Sequence, residues 1–195
     1  MKNKKNFISI CVFCGSQHGN DENDRDLSQS LGKYLAQNKM ELVYGAGSIG
    51  LMGDLAQAAL AEGGKVYGVI PKHLDHVEIT QAGLTDLNIC DDMQTRKHIM
   101  ADRADAFIIL SGGLGTLDEF FEVLTWAQLG LHEKPILVIN HNGFWDQLLD
   151  LIDHIVKKGF ANSNIKKLFT VVETLEAAIE WLAMQQSNNN KSTCN

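Results

Sequence analysis

Short runs rich in valine and isoleucine recur along this chain, and between them lie longer stretches in which apolar residues return every three or four positions. The runs FISICVF, MELVY, KVYGVI, LTDLNI, AFIIL, PILVI and LFTVV predict short buried strands, the pattern of a parallel sheet covered by helices on both faces. The intervening stretches predict helices over 24–38, 50–62, 92–102, 114–129, 144–158 and 175–183. Such alternation constrains the chain to an α/β architecture, a doubly wound and mainly parallel sheet. Ligands of such folds bind beyond the carboxyl ends of the strands, where the connections diverge.

At 195 residues the chain is long enough for one sizeable core, so a single domain is expected over 1–184. The polar end QQSNNNKSTCN has nothing to bury and is expected to be a disordered tail over 185–195. Of the two prolines, Pro71 follows a strand and Pro135 opens one, so neither breaks an element. A formal net charge of -7 argues against a nucleic-acid partner. The start MKNKKNFISICVF is basic and then briefly apolar, and it reads better as a first strand than as a signal segment. No stretch approaches the roughly 20 apolar residues of a membrane helix, so a cytoplasmic protein is expected. Cys11 and Cys14 sit within and at the end of a strand, away from the helix start that a redox pair requires. With Cys90 and Cys194 isolated and the seven histidines scattered, neither a disulfide nor a metal site is expected.

Two glycine-rich loops follow strands. YGAGSIGLMG fits the dinucleotide template through Gly45, Gly47 and Gly50. A nicotinamide site adds an acid at the end of the next strand, and KVYGVIP ends without one. The other reading needs no ligand: the glycines serve a tight turn and close helix packing. The second loop, Ser111-Gly112-Gly113-Leu114-Gly115-Thr116, lets backbone approach a ligand at the start of a helix, where free N–H groups and the positive dipole end favour an anion, most simply phosphate. It lacks the lysine ending of a P-loop.

Glu119 lies in the first turns of that helix, with Leu117, Phe121 and Leu124 expected to face the core. An acid there either complements the helix dipole or, tilted back toward the loop, stabilises positive charge on a bound molecule. A ribosyl oxocarbenium ion is such a charge. Upstream, Met93, Arg96 and Met100 share a helix face. Arg96 either snorkels to solvent or offers a planar fork to phosphate or ribose oxygens.

These residues together resemble the LOG-type phosphoribohydrolases, a family often mislabelled lysine decarboxylases. Gly112, Gly113, Gly115, Thr116 and Glu119 match its P-G-G-x-G-T-x-x-E signature, and Met93, Arg96, Lys97 and Met100 its M-x-x-R-K-x-x-M helix. FCGS at 13–16, GLMG at 50–53, VIP at 69–71 and TWAQLGLHEKP at 125–135 extend the likeness over about 7–184. The resemblance implies a homodimeric Rossmann-like fold that hydrolyses adenosine-type 5'-monophosphates to free base and ribose 5-phosphate, without a cofactor. It implies Arg96 and Glu119 as the catalytic pair, with Gly112, Gly113, Gly115 and Thr116 on the 5'-phosphate. Ser16, Gly47 and Lys97 would line the same mouth, and Glu78 would sit near base or sugar. Ser111, Gln94 and Ala46 replace the usual proline, histidine and glycine. Ser111 gives up the fixed φ of proline and adds a hydroxyl that could reach phosphate. A pyridoxal enzyme would need a lysine placed for a Schiff base, and none is so placed. A non-catalytic nucleotide carrier and a nicotinamide-dependent enzyme are the competing classes.

Overall fold

In the computed structural model, which describes residues 8–74 and 80–192, seven parallel strands form one sheet in the order β4-β3-β2-β1-β5-β6-β7. They are β1 (Ser9–Phe13), β2 (Glu41–Tyr44), β3 (Val66–Pro71), β4 (Asp86–Cys90), β5 (Ala106–Ile109), β6 (Ile136–Ile139) and β7 (Thr170–Val172). Between them lie α1 (Glu22–Gln37), α2 (Gly50–Ala61), α3 (Met93–Arg103), α4 (Leu114–Gln128) and α5 (Asp146–Lys157), and α6 (Leu175–Ser192) follows β7. Every strand and helix expected from the sequence is present, and the sheet is parallel throughout. The last helix runs on to Ser192, into the polar stretch expected to be disordered, because QQSNNNKS holds no proline or glycine to stop it.

Period-two side-chain direction divides the apolar runs between two cores. Ile10, Val12, Ile108, Leu137 and Ile139 pack against α1, α2 and α6 through Leu31, Leu55 and Leu182. Cys11, Phe13, Phe107, Ile109 and Val138 pack against α3, α4 and α5 through Met100, Phe120 and Ile152. Neither face of the central strands meets water, which is why their sequences lack alternation. Cys11, Cys14 and Cys90 are buried free thiols. No helix among the described residues is long and apolar enough to cross a membrane.

The strand order places the topological switch between β1 and β5: the chain leaves β1 toward β2 and leaves β5 toward β6 on the other side. The two departing loops are tied together there. Leu110 donates its N–H to the Phe13 carbonyl at 3.0 Å and Gly15 to the Ser111 carbonyl at 3.0 Å. Met52 N–H reaches the Gly15 carbonyl at 3.2 Å, bringing the start of α2 to the same rim.

Candidate active site at the switch point

A cavity of about 330 Å³ opens at this crevice, walled by residues 15–19 after β1, by Ser111, Gly112 and Gly113 after β5, and by Asp24, Leu51 and Phe144. Its position agrees with the general siting of ligands in open α/β sheets. The glycines of the second loop divide by purpose. A Cβ on Gly112 would overlap the Thr116 side chain, so Gly112 is fixed by packing. Cβ atoms on Gly113 and Gly115 would meet nothing within 4 Å, so the space above them is open to a ligand. Helix α4 starts at the N-cap Gly113 with no side-chain cap, whereas Asp21 and Asp92 cap α1 and α3. Its first N–H groups are thus left to the crevice, an arrangement suited to an anion.

Ser111 is bound differently from the expectation that its hydroxyl might reach phosphate. That hydroxyl donates to Asp24 Oδ1 at 2.6 Å, and both side chains are buried. The bond pins the loop to α1, a constraint that stands in for the missing proline. Ser111→Ala leaves a buried carboxylate oxygen without this donor, a loss of about 1–3 kcal/mol. A melting temperature lowered by several degrees is the expected result, read by a thermal scan; an unchanged midpoint would remove this tie.

The first glycine loop proves to be a packing device. A Cβ on Gly45 would overlap the Arg96 guanidinium, one on Gly50 the backbone of Ser16 and Gln17, and one on Gly53 the Ser48 backbone. Gly50 also has φ +64, and Ala46 holds φ 63, a left-handed conformation that favours the glycine it replaces. Gly47 is buried and forms an isolated antiparallel bridge to Thr80, outside the cavity wall. Packing therefore accounts for Gly45 and Gly50 of the motif.

Arg96 neither snorkels nor points into solvent. It is buried, with Nε donating to the Val69 carbonyl at 3.1 Å and Nη2 to the Gly45 carbonyl at 2.9 Å, so it clasps the ends of β3 and β2. Among the described residues Nη1 meets only the Met93 sulfur at 3.8 Å, and that edge of the fork is the one offered to a substrate. Lys97 is committed elsewhere, to Asp118 at 3.0 Å and Glu122 at 3.1 Å, and Gln94 donates to Glu122 at 3.1 Å. Burial pulls the Lys97 pKa down, but hydrogen bonds to Asp118 and Glu122 outweigh it and leave the amine above its ordinary value.

Glu119 is on the buried face of α4. The residues that face inward are Thr116, Glu119, Phe120, Val123 and Leu124, whereas Leu117 and Phe121 are only half-buried, so the expected stripe is rotated by about one residue. Glu119 thus holds a core position at 9% exposure, an unusual place for an acid. Burial raises the pKa of Cys11 most, and the Glu119 carboxylate raises it further while Arg96 opposes this. Cys14 is raised by burial and then by Glu119. The carboxylate and the guanidinium thus both act on Cys11, at the middle of β1.

Of the expected site residues, Ser16, Gly112 and Gly113 line the cavity; Gly115 is exposed, and Thr116, Arg96 and Glu119 are buried and outside its described lining. Glu78 lies outside the described residues. Sequence reasoning missed Asp24, His18 and Asp54. Asp54 bonds His18 Nε2 at 3.0 Å and Arg25 Nε at 3.0 Å. The available signal was a lone acid in the otherwise apolar helix GLMGDLAQAALA.

The family model described as possible lysine decarboxylase matches residues 52–182. A cytokinin riboside 5'-monophosphate phosphoribohydrolase of Rhodococcoides fascians is 44% identical over 172 residues, covering 88% of this chain and 87% of that protein. A probable phosphoribohydrolase of the same name from Arabidopsis thaliana is 49% identical over 159 residues, 82% of this chain and 79% of the relative. Among solved structures, the molybdenum cofactor carrier protein of Chlamydomonas reinhardtii aligns with a TM-score of 0.70 at 19% identity, over 93% of this chain and 99% of that one. That last likeness concerns the fold alone.

Proposed function

The chain belongs to the LOG family of phosphoribohydrolases, and from that premise we propose that it hydrolyses the N-glycosidic bond of adenosine 5'-monophosphates, N6-modified or plain, to free base and ribose 5-phosphate. The observation that carries the reading is Glu119: a carboxylate at a core position of α4, beside a glycine loop with open space above it. In this mechanism the N–H groups at the start of α4 and the Gly112 to Gly115 backbone hold the 5'-phosphate, with Thr116 beneath them. Nη1 of Arg96 fixes the ribose or its phosphate. As the bond to the base lengthens, positive charge spreads over the sugar ring, and the Glu119 carboxylate stabilises it and orients the attacking water. The base leaves with the bonding electron pair and a proton.

A lysine decarboxylase reading finds no support in the buried lysine of the site. A Schiff-base lysine must lose its proton, whereas Lys97 is ion-paired to two carboxylates with its pKa raised. A non-catalytic carrier would share the phosphate cradle but would have no use for a buried acid beside it. The reading includes a cytosolic homodimer, with Leu129 and Leu131 as exposed apolar residues after α4 for a second copy to cover.

Incubation with AMP and with N6-isopentenyl-AMP tests the proposal. Release of adenine or the modified base, with ribose 5-phosphate in equal amount, is expected. Binding of both nucleotides with no base released would identify a carrier instead.

A further inference from the structure

The cations that the sequence offers for a phosphate lie outside the described lining of the cavity. Arg96 holds two backbone carbonyls and keeps Nη1 alone for a substrate, and Lys97 holds two carboxylates. Among the described residues that line the cavity, His18 has the one side chain able to carry positive charge. It is half exposed, and its Nε2 meets Asp54 Oδ2 at 3.0 Å. Asp54 is only 7% exposed, sits on α2, also pairs with Arg25 of α1 at 3.0 Å, and accepts from Gln29 at 3.3 Å. At Oδ2 neither contact has the alignment of a hydrogen bond. A buried carboxylate placed between an imidazole and a guanidinium fixes the position of both.

With Nε2 turned to Asp54, the imidazole presents Nδ1 away from that carboxylate, and no described residue takes it. We infer that His18, oriented by Asp54, is a substrate-binding residue whose Nδ1–H donates to the dianionic phosphate of a phosphomonoester in the cavity between the β1 and β5 loops. The charged groups around the ring are Asp54 of α2, Arg25 of α1, and Asp24 of α1, which shares the cavity wall and accepts from Ser111. Residues 111–113 and Phe144 bring no charged side chain. The inference rests on the nucleotide reading above only for the molecule that bears the phosphate.

Inorganic sulfate is the suitable probe, a tetrahedral dianion without sugar or base. Its dissociation constant is measured by calorimetry in one buffer for the unaltered chain, His18→Gln and Asp54→Asn. The unaltered chain is expected to bind about tenfold more tightly than His18→Gln, the size of one charge-assisted hydrogen bond at a half-exposed site. Asp54→Asn is expected to fall between the two. Wild-type sulfate affinity in His18→Gln would overturn the role of His18; an unchanged affinity in Asp54→Asn would overturn that of Asp54. A chain that shows the His18-dependent binding but releases no base from a monophosphate would keep this inference and lose the proposed function.

Discussion

Replacing Glu119 by glutamine is expected to abolish base release while leaving the fold and monophosphate binding in place. Glutamine matches the shape of the side chain, so a position buried among Thr116, Phe120 and Val123 is refilled without a cavity. The one property removed is the negative charge. In the ground state the ribose is neutral and the nearest substrate charge is the phosphate, which the carboxylate repels, so binding has no reason to weaken. In the transition state the sugar is cationic, and a carboxylate in a water-poor site then acts through a low effective dielectric. Loss of such a preorganised group lowers kcat by about 10³-fold, or roughly 4 kcal/mol of barrier. The measurement is kcat for adenine release from AMP together with the AMP dissociation constant. Activity within a few-fold of the unaltered chain would assign Glu119 to helix-dipole compensation alone.

The fold was readable because parallel strands buried on both faces write themselves as uninterrupted Val and Ile runs, as in AFIIL and PILVI. The inward face of α4 was not readable for a related reason. Phe120 and Phe121 are adjacent, so either can anchor a stripe, and periodicity favoured the solution that kept a charged residue out of the core. The actual stripe includes Glu119. The local rule fails at the residue assigned the chemistry, where a functional demand is expected to override packing preference. YGAGSIGLMG shows the opposite limit. Two of its template glycines, Gly45 and Gly50, make room for Arg96 and for the Ser16 loop, contacts set by residues up to 51 positions away. The pairing of His18 with Asp54 escaped for the same reason: it is created by the approach of the loop after β1 to helix α2, and the lone acid in α2 does not by itself name its partner.

The second large effect is expected at Arg96, where structure and chemistry have to be separated by the choice of variant. Arg96→Ala removes the donors of two buried carbonyls, Gly45 and Val69, and leaves a hole between the ends of β2 and β3. About 2–4 kcal/mol of stability is expected to go with them, so the accompanying loss of activity would say little about catalysis. Arg96→Lys is the informative variant. Its ammonium keeps the charge and can still satisfy one carbonyl, but it cannot span two strand ends and turn a third nitrogen to the substrate, as the planar fork does. The lysine variant is therefore expected to stay folded at 25 °C and yet to lose about 10²-fold or more in kcat/KM, divided between binding and turnover. Gly45→Ala approaches the same point from the other side, since a Cβ there would displace the guanidinium while leaving residue 96 intact. If Arg96 acts on the substrate, the glycine variant loses activity in parallel with Arg96→Lys. Full kcat/KM in a folded Arg96→Lys protein would confine this arginine to fastening the two strands.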